Sequence, residues 1–285
     1  MMDPFLLEAI INGFLLGGVF ALLALGLNLV FGVIDVVWLC YAELVMLGMY
    51  LIFFAVTAWG MPFIVAFAGS IALVAVLGVV LHLTVIRPLL GAPPINQLLA
   101  TGGVLFFLQS LATLVFSTEF RNVGVRLPIL ELGEIFIDVA RLAGLVGALI
   151  GTVALFLFLK RSYIGTAMRA IAQDREVMTL MGVDPKRIFI ITSAMGGALA
   201  GLGSCLLVVQ TDVHPHVGLS YGLITFLVCV MGGLGNMIGG IIAAFIMGII
   251  ISVGGYFTSV EESMVIAFAF FIAVVFIRPQ GLFAS

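Results

Sequence analysis

Six of the eleven basic side chains in this 285-residue chain, Lys160, Arg161, Arg169, Arg175, Lys186 and Arg187, fall between positions 160 and 187. Only 9% of the chain is charged, so the stretch GTAMRAIAQDREVMTLMGVDPKRIFI and the residues just before it concentrate an unusual share of its basic charge. Two uses fit it: a positive loop that fixes orientation in a membrane, or a docking surface for a soluble partner. Gly182 predicts a helix stop, and Asp184-Pro185 predicts an N-cap followed by proline at the first helical position. That leaves a short helix over 166–181. Arg169, Gln173 and Glu176 at i, i+4 and i+7 share one face of it, and Ile171, Met178 and Met181 share another. A short two-faced helix suits a groove on a soluble protein.

The other residues with chemical potential are sparse. Asp35 and Glu43 are the only acids between residue 9 and residue 118. Glu43, between Ala42 and Leu44, is the sharper of the two, because an ionisable residue inside a membrane segment marks a substrate or ion path by default. A helix cap is its plain alternative. Asp212, His214 and His216 have an H-x-H spacing, but Pro215 intervenes and no further ligand follows, so the segment reads as a loop rather than a metal site. Cys40, Cys205 and Cys229 show neither paired spacing nor neighbouring histidine ligands, and read as buried small residues. No Ser-His-Asp order, H-E-x-x-H or paired carboxylates point to an enzyme. No G-x-x-x-x-G-K-[ST] is present, and neither Lys160 nor Lys186 follows a glycine. Any ATP chemistry therefore belongs to another chain.

The elements that position these residues must be membrane helices. The chain is 64% hydrophobic with a mean hydropathy of +1.36, against about 45–50% apolar residues in soluble domains. An all-α, polytopic membrane protein of about eight to nine transmembrane or re-entrant helices follows, as one domain over 1–285 with a loop at about 161–187. The net charge of −3 gives no reason to expect nucleic acid. Apolar runs near 8–31, 40–59, 62–86, 95–117, 142–159, 188–210, 219–257 and 262–277 are the candidate spans. GGLGN at 232–236 divides the longest and leaves 219–232 either crossing or re-entrant. The start, MMDPFLLEAIINGF, holds acids and no basic residue, so its apolar run reads as a retained helix. Placing Arg87, the 160–187 cluster and Arg278 in the cytoplasm gives nine crossings, an outside N-terminus and an inside C-terminus. The slightly acidic loop at 118–141, with Arg121, Arg126, Arg141, Glu119, Glu131, Glu134 and Asp138, then lies outside.

Glycines spaced by four, Gly13 with Gly17, Gly147 with Gly151, Gly197 with Gly201 and Gly235 with Gly239, predict close helix crossings. A broken segment follows the first span and another the sixth, which hints at an internal duplication. Broken helices at membrane depth line cavities, so Gly232, Gly233 and Gly235 are expected to border a translocation path. Should 219–232 cross fully, the block is a cytoplasmic turn instead.

The spacing from Glu176 to Gly182 resembles the E-A-A-x-x-x-G loop of ABC importer permeases. RAIAQDREVMTLMGVDPKR, VIRPLLGAP at 85–93, GGLGNMIGGIIAAFIMG at 232–248 and IRPQGLF at 277–283 resemble the hydrophobic, branched-chain amino acid uptake branch of that family over nearly the whole chain. The resemblance implies a permease of the bacterial inner membrane that pairs with a second, similar permease. Two cytoplasmic ATPases, which bind ATP and magnesium, and a periplasmic solute-binding protein complete such systems. By position, Arg169, Asp174, Arg175, Glu176 and Gly182 would couple to an ATPase. The branch reads close to I-N-F-A-H-G-E-L-x-x-L-G-A-Y where this chain has VWLCYAELVMLGMY, so Trp38 and Tyr41 replace polar residues. They either contact an apolar solute on the path or are packing. Urea, short amides and organic acids are alternative solutes, and an ion-coupled carrier using Asp35 or Glu43 is the rival mechanism.

Overall fold

The computed structural model describes residues 4–125, 128–132 and 135–283. Asp3 of the expected acidic start, and Arg126 and Glu134 of the expected acidic loop, lie outside them. The helices are α1 (Pro4–Ile34), α2 (Tyr41–Thr57), α3 (Phe63–Leu81), α4 (Pro94–Phe116), α5 (Val139–Arg161), α6 (Tyr163–Gln173), α7 (Arg175–Leu180), α8 (Pro185–Leu207), α9 (Val217–Gly232), α10 (Met237–Phe257) and α11 (Val260–Ile277). Six are long and apolar enough to cross a membrane, and three shorter apolar helices accompany them. Together they match the nine segments expected. The loop before α5 adds an unforeseen antiparallel hairpin of β1 (Ile129–Leu132) and β2 (Ile135–Asp138).

α1 runs through the centre and is buried over most of its length, whereas α3, α4 and α5 turn side chains such as Ile64, Leu114 and Ile150 outward. Glycines set the closest crossings. A Cβ on Gly13 would lie 2.7 Å from the Ile249 Cα, and one on Gly248 would lie 2.5 Å from the Gly13 carbonyl. On the other side of the bundle, a Cβ on Gly197 would lie 2.5 Å from the Val74 carbonyl. Helix backbones therefore touch directly between α1 and α10 and between α3 and α8, the two most extensive pairings in the protein.

Those pairings expose an inverted repeat. Along α1 the glycine contacts step from Leu23 to Gly26 to Val30 as their α8 partners step back from Gly203 to Leu199 to Gly196, so the two helices run antiparallel. Matching α1–α4 to α8–α11 sends the α1·α10 contact onto α8·α3 and the α2·α3 contact onto α9·α10. The break at 35–40 matches the one at 208–216. The two sets of four helices are thus arranged with inverted topology, α1 antiparallel to α8.

The broken helices start inside the bundle. Tyr50 of α2 stacks on Phe116 at the end of α4 with ring centroids 4.2 Å apart. Seven residues of helix place Glu43 about 10 Å deeper. Before α9, His216 bonds through Nδ1 to Gln109 Nε2 at 2.6 Å, again seven residues short of Phe116. α9 then runs to the opposite end, where the 233–236 turn connects it to α10.

Candidate functional site

The end of the bundle carrying Arg87, Lys160, Arg161 and Arg278 gathers all four stretches on which the family resemblance rests. The helix expected over 166–181 is two helices. Ser162 caps α6 by accepting from the Gly165 amide at 2.8 Å, and Asp174 caps α7 by accepting from Glu176 and Val177 at 2.9 and 3.0 Å. Asp174 is extended, at φ −153° and ψ 110°, so its side chain stops one helix and starts the next. α6 buries Ala167, Met168 and Ile171 and leaves Arg169 exposed. Asp184 caps α8 through the Lys186 amide as expected. Gly182, at φ +84°, occupies the left-handed conformation that the turn between α7 and α8 requires.

α7 presents Glu176 outward beside exposed Val177, Leu180 and Met181; Leu180 is 88% exposed. Val177 and Leu180 escape a search for one apolar stripe, because a six-residue helix at the tip of a loop is apolar on several sides. Arg175 turns the other way. Its guanidinium donates to the carbonyls of Val33, at 3.3 Å, and Ile34, the last two residues of α1, and stands 5.0 Å from the centre of the Phe189 ring.

The GGLGN turn lies beside this pair. Together with Ala172, Gln173, Pro279 and Gln280, residues 233–238 border an open cavity of about 1080 Å³. Asn28 of α1 accepts from the Gly235 amide at 3.1 Å. The tail closes over the turn: the Leu282 amide donates to the Met231 carbonyl at 2.7 Å, and Asn236 Nδ2 donates to the Phe283 carbonyl at 2.7 Å. Gly232 meets Gly239 backbone to backbone, and Gly233 and Gly235 hold positive φ. Gly233 and Gly235 thus lie in the turn that follows α9 and border the open cavity, with Gly232 at the end of the helix. Asn28 was invisible in the sequence, since a lone polar residue in a long apolar run carries no spacing signal.

Trp38 and Tyr41 are deeply buried, at 1% and 2% exposure. Trp38 Nε1 donates to Cys40 Sγ at 3.0 Å, and the two rings meet edge-on with centroids 5.8 Å apart. The Tyr41 hydroxyl lies against Gly26 of α1. Glu43 is fully buried at the start of α2. Asp35 is exposed at positive φ (62°) and opens the break. Among the described residues no group of three His, Cys, Asp or Glu side chains could hold a metal ion.

A bundle of broken helices in inverted repeats, with a protruding helix pair wired to its central helix, defines a membrane transport subunit. The family described as "Branched-chain amino acid transport system / permease component" matches residues 9–275, and the chain belongs to it. It is 28% identical to the high-affinity branched-chain amino acid transport system permease protein BraD of Pseudomonas aeruginosa, over 97% of this chain and 95% of that one. It is 27% identical to the corresponding permease protein LivH of Escherichia coli K12, over 99% and 97%. The solved structure of PsaBC from Streptococcus pneumoniae in complex with Fab shares the fold at 16% identity, with a TM-score of 0.51 over 98% of this chain and 94% of that one.

Proposed function

We propose that this chain is the membrane subunit of an ATP-driven importer for branched-chain or other small hydrophobic amino acids. As a transport permease component it is not itself catalytic; ATP and magnesium are held by two cytoplasmic ATPase subunits. A second permease completes the membrane part, and a periplasmic binding protein delivers the solute. The chain sits in the bacterial inner membrane with its N-terminus outside and its basic end in the cytoplasm. Arg169, Asp174, Glu176 and Gly182 form and present the helix pair that an ATPase cleft receives, and Arg175 passes its movement to α1. Trp38, Tyr41 and Glu43 border the solute path.

One observation carries the reading: α7 projects exposed apolar and charged side chains while Arg175, its first residue, grips the end of α1. An ion-coupled carrier has no use for such a surface. The test is Glu176→Lys in the complex reconstituted with its partners. Uptake should be abolished while membrane insertion and amount of protein stay normal. Wild-type uptake by the variant would refute the coupling surface.

A further inference from the structure

Two opposite charges share one cavity at the basic end without pairing. The cavity, of about 390 Å³, lies at the end of α1 and is bordered by Asp35 of the break, by Arg175 of α7 and by Leu90, Pro94 and Leu234. Among the described residues the one ion pair is Arg187 with Asp184, so neither Asp35 nor Arg175 has an ionic partner there. Asp35 is exposed at φ 62°, a conformation that costs a non-glycine residue free energy and collects at ligand sites. Arg175 makes both of its bonds to the end of α1 through Nη2, and neither bond uses Nη1 or Nε. The amides of Val36 and Val37, which also border the cavity, have no backbone acceptor among the described residues.

The arrangement fits a small zwitterion with an apolar side chain. A carboxylate takes charge-assisted bonds from a guanidinium and from free backbone amides. An ammonium group takes Asp35, and because Asp35 is exposed its other hydrogens stay in water, so no charge is buried unpaired. Leu90, Pro94 and Leu234 offer an apolar wall, and the volume is ordinary for a small-molecule site. A simple anion would leave Asp35 facing like charge, and a metal ion would meet Arg175 in place of further oxygen ligands. The cavity also joins two working parts, since α7 stands on one side and the break after α1 on the other. A ligand that bridges them binds this arrangement better than one in which α7 has moved, and so slows a cycle that needs the movement.

We propose that this cavity receives a free amino acid from the cytoplasm, and that the imported product thereby restrains its own transport. This rests on the amino acid importer reading, and the site is a sensor at the basic end rather than a station on the solute's route. The first test titrates the detergent-purified complex, without its binding protein, with leucine by calorimetry. Leucine should bind, whereas isocaproate, which lacks the ammonium, and isoamylamine, which lacks the carboxylate, should not. Asp35→Asn should weaken leucine roughly tenfold or more by removing one charge-assisted contact. The second test seals the binding protein and labelled leucine inside proteoliposomes, with ATP outside. Unlabelled leucine added outside should slow ATP-driven transport in the wild type and act only at roughly tenfold higher concentration in Asp35→Asn, whose uninhibited rate stays normal. Isocaproate as effective as leucine, an unchanged response in Asp35→Asn, or no inhibition of the wild type would each overturn the proposal. Phosphatidylethanolamine headgroups carry the same charge pair, so leucine binding abolished by that lipid would assign the cavity to it instead. A complex that binds leucine in this way yet transports no branched-chain amino acid would refute the proposed function and leave the site standing.

Discussion

Arg175→Met removes a charge while keeping the length of the side chain, and the structure sets what that should cost. Val33 and Ile34 are the last residues of α1, where helix carbonyls lack partners within the helix and the macrodipole is negative. A hydrogen bond from a charged donor contributes about 1.5–3 kcal/mol. Arg175 is exposed overall, and its bond to Val33 is long at 3.3 Å, so the low end applies. The Phe189 ring adds about 0.5–1 kcal/mol. The anchor is then worth roughly 2 kcal/mol, which as a coupling free energy is about 30-fold. In the reconstituted complex, amino acid taken up per ATP hydrolysed should fall by about that factor in Arg175→Met. Arg175→Lys should lie between, because a single ammonium cannot span two carbonyls as a guanidinium does. An unchanged ratio of uptake to hydrolysis in Arg175→Met would show that movement reaches α1 by another route.

Gly248→Val should lower the Tm of the detergent-purified protein, since its Cβ would lie 2.5 Å from the Gly13 carbonyl and overpacking costs about 1–3 kcal/mol. An unchanged Tm would refute the backbone contact between α1 and α10. His214, tilted against Phe120 with centroids 4.7 Å apart, has its pKa lowered first by burial and then by His216, against a smaller raising effect of Asp212. Its neutral form is the folded one. This contribution is therefore full above the ordinary histidine pKa of about 6.5 and is lost as pH falls through the lowered value. Thermal melts from pH 7.5 down to pH 5 should show an acid-side loss that His214→Gln lacks; identical profiles would remove His214 from the account.

The bundle was largely legible in the sequence because apolar runs and breakers act locally. Asp184-Pro185 starts α8 as the pattern predicts, and the broken stretch after α1 lies where Asp35 interrupts the hydropathy. The division of 166–181 was hidden because Asp174 looks like one more polar position on an amphipathic helix, whereas its side chain caps the next turn. The inward turn of Arg175 depends on α1 ending 141 residues away along the chain, which no local pattern carries. The burial of Glu43 against Gly218 likewise comes from the meeting of two repeats.

The inverted match of α1–α4 with α8–α11 also bears on where the chain carries its charge. Two halves related in this way sit in opposite orientations, so a strong Lys and Arg bias shared by both would work against itself. Arg87 is the only basic residue before position 117, and Arg278 the only one after 187. Of the remaining basic residues, Lys186 and Arg187 stand in the first turn of α8, and the other seven lie at 121–175, in the stretch that joins the two halves. The joining segment thus carries seven of the eleven basic residues together with the protruding α6–α7 pair.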